Sequence, residues 1–164
     1  MKKDLKNKIK HIAFDLNSVL IESYSNIKTE PDFSSHERLQ AFLKFLKTKG
    51  LSAGILSNMR TNNNLWIYLK STGLFNPILL GGAFGLPKPH PRIYDEYIEL
   101  SGFKPDEIMF IDNKRCNLIY MHSLGVTTVL LDAKKKRKNS YMWSFVDYNF
   151  SYWQELLDWL YEEF

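Results

Sequence analysis

Four side chains of unlike chemistry each stand where a short apolar run stops. Asp15 closes HIAFD, Ser57 closes LSAGILS, Lys88 follows PILLGG within GLPKP, and Asp112 closes EIMFID. A carboxylate is an oxygen nucleophile that is already anionic at neutral pH and needs no base to activate it. A hydroxyl, a cation and a second acid complete the set. Two residues past Asp15, where another carboxylate would make catalytic sense, the chain has Asn17. An amide hydrogen-bonds but cannot give and retake a proton near pH 7.

For these residues to meet, the runs that carry them must lie side by side. Residues 9–16, 51–57, PILLGG, EIMFID and VTTVLLD are short and apolar with β-branched residues among them, as buried strands are. Helical patterns alternate with them. One begins with Ser34 or Ser35 as N-cap and Glu37 in its first turn, repeats Leu39, Phe42, Leu43 and Leu46 at i, i+3, i+4 and i+7, and stops at Gly50. A second covers 63–71. A third, HPRIYDEYIELSG, has Pro91 near its first turn and Gly102 past its end, and CNLIYMHSLG is the fourth. The alternation predicts an α/β domain, three-layered and Rossmann-like, with a mainly parallel sheet covered on both faces. In such sheets ligands bind outside the carboxyl ends of the strands, which places Asp15, Ser57, the Lys88 loop and Asp112 on one edge.

The 164 residues, 45% hydrophobic and 24% charged, suit one domain over 1–164 with its own core. Cys116 is the only cysteine, which excludes an intrachain disulfide and a four-cysteine zinc site and fits a reducing, cytoplasmic setting. The net charge of +4 comes largely from MKKDLKNKIK and from KKKRK at 134–138, read as a solvated end and a loop tip, so nucleic acid is not an expected partner. No run is long enough for a signal peptide or a membrane span. His11, His36, His90 and His122 lack ligand spacing. In the C-terminal segment 141–164, Phe150, Trp153, Leu156, Leu157 and Leu160 are expected to share one helical face that packs on the sheet.

The order of the strand ends resembles the haloacid dehalogenase superfamily, whose members are mostly phosphohydrolases. FDLNSVL resembles its first motif, a strand ending in Asp-x-Asp-Gly-Thr/Val, and GILSN its second, a strand ending in Ser or Thr. GLPKPHPRIYDEYIELSG resembles the third, where Lys-Pro-x-Pro opens a helix. IMFIDNKRCNLIYMHSLGVTTVLL resembles the fourth, an acidic strand end followed by a helix, Leu-Gly and a further strand. The resemblance implies hydrolysis of phosphate esters through an Asp15 phosphoryl-aspartate, with Ser57, Asn58 and Lys88 binding the phosphoryl group. It also implies Mg²⁺, held by Asp15, the backbone carbonyl of Asn17 and an acid of the fourth motif, Asp112, with Asn113 at the usual ligand position.

Two departures stand out. At Asn17 the family's phosphatases have the Asp that protonates the leaving oxygen and activates water. At Asn113 an amide replaces a charged ligand, so metal binding should weaken. Residues 20–34 make only a short loop where relatives insert a helical cap. A nearly capless site is open to a phosphorylated small molecule, a phosphorylated macromolecule or a protein partner, and it argues against the dehalogenase branch, whose cap residues hold the halide. The expected function is a phosphohydrolase of reduced activity. The competing one is a catalytically silent relative that binds a phosphorylated ligand or a partner protein. Because general acid–base catalysis is typically worth about 10²–10⁴-fold, Asn17→Asp should raise turnover of an alkyl phosphate by that order. Steady-state phosphate release from the two proteins checks it, and unchanged turnover counts against the assignment of Asn17.

Overall fold

The computed structural model describes residues 5–16, 19–20, 37–60, 67, 69–132 and 143–164. Among these residues, six strands form one wholly parallel sheet: β1 (His11–Phe14), β2 (Ser52–Ser57), β3 (Ile78–Leu80), β4 (Ile108–Asp112), β5 (Thr127–Leu131) and β6 (Tyr148–Phe150). Their order across the sheet is β3-β2-β1-β4-β5-β6. The chain therefore winds outward from β1 in one direction, then returns past it and winds in the other. The reversal opens a crevice between β1 and β4, which is where such sheets bind ligands. The two edge strands, β3 and β6, have three residues each.

Period-two alternation divides the strand residues between two apolar layers. Ile12 and Phe14 of β1, Met109 and Ile111 of β4, and Val129 and Leu131 of β5 meet α1 (Leu5–Lys8), α2 (Glu37–Thr48) and α5 (Trp153–Glu163). Ala13, Phe110 and Leu130 point the other way, against α3 (Pro91–Ser101) and α4 (Arg115–Ser123). The central strands are buried on both faces, which is why their sequences read as unbroken apolar runs. In α3, His90 is the N-cap and its Nδ1 accepts from Arg92 N–H, Pro91 occupies the first turn, and Gly102 turns left-handed at φ 73° to end the helix.

Three expectations need correction. The strands are shorter than the apolar runs: β1 spans four residues, with Ile9 and Leu16 buried beyond its ends. The N-terminal basic run is not wholly a solvated end, since Leu5 and Ile9, one helical turn apart, are both buried and joined by a 2.8 Å backbone bond. Phe150 belongs to β6 and not to the C-terminal helix, whose inward face is Leu156, Leu157 and Leu160 with Trp153 packed beside them. The expected N-caps Ser34 and Ser35, most of the 20–34 loop, most of the 63–71 helix and the 134–138 basic run lie outside the described residues. Within 63–71, residues 67 and 69–71 are helical.

At the amino end of the sheet, opposite the crevice, His11 is fully buried. Its Nδ1 lies 2.7 Å from Ser52 Oγ and its Nε2 2.7 Å from Tyr97 Oη, while Ser52 Oγ donates to the Lys10 carbonyl at 3.4 Å. A neutral imidazole satisfies this chain, with Tyr97 donating to Nε2 and Nδ1–H donating to Ser52. The space is so tight that a Cβ on Gly54 would fall 2.2 Å from Tyr97 Oη and 2.8 Å from the Pro77 carbonyl. Burial lowers the His11 pKa from 6.5 to about 4. Between those values the unfolded chain binds a proton that the native protein refuses, so the stability contribution is complete above pH 6.5 and is lost as pH falls toward 4. Urea titrations should show up to about 3 kcal/mol of this loss in the wild type. A visibly flatter profile is expected for His11→Gln, and parallel profiles would contradict the assignment.

Candidate active site

At the carboxyl edge, the site is built around one buried ammonium. Asp15 follows β1 directly, Ser57 ends β2 and Asp112 ends β4, so the parallel register delivers all three to the crevice. Lys88 comes from the loop after β3. Its Nζ donates to Asp15 Oδ1 at 2.8 Å, to Asp112 Oδ2 at 2.7 Å and to the Leu56 carbonyl at 2.7 Å. The three protons of the ammonium thus meet three acceptors, and the lysine is only 4% exposed. The Phe110 ring lies 5.2 Å from the same nitrogen, and Tyr94 packs edge-on against Phe110. The Tyr94 hydroxyl is buried without a hydrogen-bond partner among the described residues, and burial pushes its ionisation far up, with Asp112, Cys116 and Asp15 adding to the effect.

The loop that delivers Lys88 is tied to the end of β2. Gly81 N–H donates to the Ser57 carbonyl at 2.7 Å, and Gly82 lies so close to residues 58 and 59 that a Cβ would meet the Asn58 carbonyl at 2.4 Å. The Asn58 side chain closes the connection, donating from Nδ2 to the Lys88 carbonyl at 2.8 Å and accepting from Lys88 N–H at Oδ1 over 2.6 Å. Asn58 was expected to bind substrate, and its side chain here brackets the backbone of the lysine that does the electrostatic work. Ser57 is buried, and its Oγ lies 3.4 Å from Met59 N–H.

Asp112 is fully buried and surrounded by donors: Lys114 N–H at 2.8 Å on Oδ1, and Lys88 Nζ with Asn117 Nδ2, the latter at 3.0 Å, on Oδ2. Its place is behind Lys88, which it holds. Asn117, a second amide of the fourth motif to which the sequence assigns no role, joins the site through its bond to Asp112. The available signal was an amide on the inward face of α4, in line with Leu118 and Met121. Burial raises the Asp15 pKa above its usual value; Lys88 pulls it back, and neighbouring Asp112 pushes it up again.

Donor chemistry decides what cation would fit. Asp15 offers carboxylate oxygen, and Asn113 Oδ1 is a buried acceptor with no hydrogen-bond partner among the described residues. Oxygen-only ligation suits a hard divalent ion. Among the described residues, no three His, Cys, Asp or Glu side chains gather as a metal cluster. Asn17 lies outside the described residues.

A family profile described as haloacid dehalogenase-like hydrolase matches residues 2–131. The chain belongs to this family. Solved structures with the same fold include an L-2-haloacid dehalogenase at 16% identity and TM-score 0.71, matched over 94% of this chain and 99% of that one. Another is the cobalt-bound deoxy-D-mannose-octulosonate 8-phosphate phosphatase from Haemophilus influenzae, at 18% identity and TM-score 0.69 over 98% of this chain and 91% of that one. A haloacid dehalogenase-type phosphatase from Thermococcus onnurineus matches at 16% identity and TM-score 0.67, over 93% and 98% of the two chains. At these identities the likeness shows the fold, a parallel α/β sheet without a cap among the described residues.

Removing the ammonium while keeping its volume leaves two buried carboxylates uncompensated. Lys88→Met should therefore cost about 3–5 kcal/mol of stability at pH 7. The cost should shrink toward pH 5, because Asp15, already raised by burial, then takes up a proton. Chemical denaturation of both proteins at the two pH values measures it; an equal cost at both would argue against unpaired carboxylates as the cause.

Proposed function

We propose that the protein is a phosphohydrolase that acts on phosphate monoesters through Asp15. The observation that carries the reading is the Lys88 ammonium held between Asp15 and Asp112 at the crevice edge. That arrangement keeps the nucleophile anionic and sets a cation beside the place where a phosphoryl group would sit. In the first step, an Asp15 carboxylate oxygen forms a bond to phosphorus as the ester oxygen leaves with the bonding pair. Ser57 Oγ–H donates to the phosphoryl oxygens, whose charge grows during transfer, and the Lys88 ammonium, its three protons held by Asp15, Asp112 and the Leu56 carbonyl, supplies positive charge beside them. In the second step, water takes the phosphoryl group from Asp15 and restores the carboxylate. Bound Mg²⁺ would supply charge neutralisation between carboxylate and phosphate, held by Asp15 and Asn113, with the Asn17 carbonyl as a further ligand by family resemblance.

The rate is set by what Asn17 cannot do. A leaving alkoxide needs a proton, and the amide at this position cannot supply one. The favoured substrates are those whose leaving group departs unprotonated, namely aryl or acyl phosphates, on a small molecule or a macromolecule that reaches the uncapped edge. A second reading rests on the same amide: a silent member that binds a phosphorylated ligand or a partner protein and turns nothing over. No helix among the described residues is long and apolar enough to cross a membrane, and we place the protein in the cytoplasm on the strength of its single cysteine.

With Mg²⁺ present, 4-nitrophenyl phosphate should turn over at least about 10²-fold faster than glycerol phosphate, the lower end of what a general acid contributes. Equal rates would sink the leaving-group argument. Binding of both esters without turnover of either would select the silent reading.

A further inference from the structure

Arg115 opens α4 on the exposed surface, but its guanidinium is held: the central carbon lies 4.4 Å from the centroid of the Trp143 ring. Trp143 is half-buried and packs on the apolar layer beneath α3 and α4, so the ring is an anchored platform. Contact with an aromatic face orders a guanidinium while its five N–H donors, which lie in its own plane, remain directed sideways. Among the described residues no carboxylate pairs with Arg115.

Its position ties it to the site. Lys114, the residue before it, donates its backbone N–H to Asp112 Oδ1. Arg115 therefore starts one peptide unit beyond the contact that fixes the carboxylate behind Lys88. An ordered fork of donors with no carboxylate partner among the described residues, on the residue that opens the helix after the Asp112 strand end, is suited to a carboxylate or phosphate approaching from outside.

We propose that Arg115, ordered by Trp143, is a specificity-determining residue that binds a second anionic group of the substrate, a second phosphate in the first instance. The inference rests on the phosphate-site reading above. It narrows the substrate class to phosphate esters that carry another phosphate or carboxylate a few bonds away. Lys114, also exposed, is a poorer candidate because its ammonium is a point charge on a flexible stem.

Isothermal titration of the full chain in Mg²⁺ with propyl phosphate and with 1,3-propanediol bisphosphate tests this without turnover. The wild type should bind the bisphosphate roughly tenfold more tightly, as a charge-assisted forked contact would give, well beyond the statistical factor of about two for two equivalent ends. In Arg115→Ala the ratio of the two dissociation constants should fall to about the statistical factor, and Arg115→Lys should recover only part of the difference. Lys114→Ala removes the same charge next door and should leave the ratio unchanged. A ratio near two in the wild type, a tenfold ratio that survives Arg115→Ala, or an equal fall in Lys114→Ala would each overturn the proposal while leaving the phosphate site standing. Binding of neither ligand to the wild type would overturn the phosphate-site reading and this inference with it.

Discussion

A buried ammonium between two carboxylates organises this molecule. Desolvating Lys88, Asp15 and Asp112 together is unfavourable unless each charge finds its partners, and the requirement reaches well into the fold. It fixes where β1 and β4 must end, because their last side chains have to approach one nitrogen. It fixes the path of the loop after β3, which Asn58 and the two glycines at 81 and 82 hold against β2. The start of α4 is bound in as well, through Lys114 N–H and Asn117 on Asp112. Removing a strand end would leave a charge without its counterpart, so positions far apart in sequence are constrained by one electrostatic balance.

The same balance explains how a site can lose reactive groups and keep its form. The charges that shape the crevice are Asp15, Lys88 and Asp112, and none of them is an amide-substituted position. By family resemblance, Asn17 and Asn113 stand where protonation and metal ligation would be decided, and neither is one of those three charges. Asp15 and Lys88 thus serve both the architecture and the proposed chemistry at this edge. A domain of this kind can drift in activity while its fold persists.

Much of this was legible in the sequence because the central strands are buried on both faces and show themselves as apolar runs that stop at polar residues. HIAF, SAGILS and IMFID each stop at or one residue before a side chain that the crevice uses. What escaped notice did so for physical reasons. β6 has three residues of mixed exposure, too few for alternation to register, and its aromatic side chains continue the helical pattern of α5. The short helix at Leu5–Lys8 and the residue that follows it hide two core residues, Leu5 and Ile9, among lysines. Asn58 and Asn117 act through hydrogen bonds to the Lys88 backbone and the Asp112 carboxylate, a role that residue type and spacing do not reveal.

A parallel sheet must end somewhere, and this one ends on both sides in strands of three residues. Open sheet edges present unpaired amides and carbonyls that can template another chain, and short edge strands are among the ways proteins limit that recruitment. The longest strands, β2, β4 and β5, lie inside the sheet, where their backbone groups are paired on both sides. The apolar sequences with the greatest tendency to self-associate are thereby kept from the rim. The tapering of the sheet is a safeguard against fibrous assembly, built from the same strand lengths that bring the charged edge together.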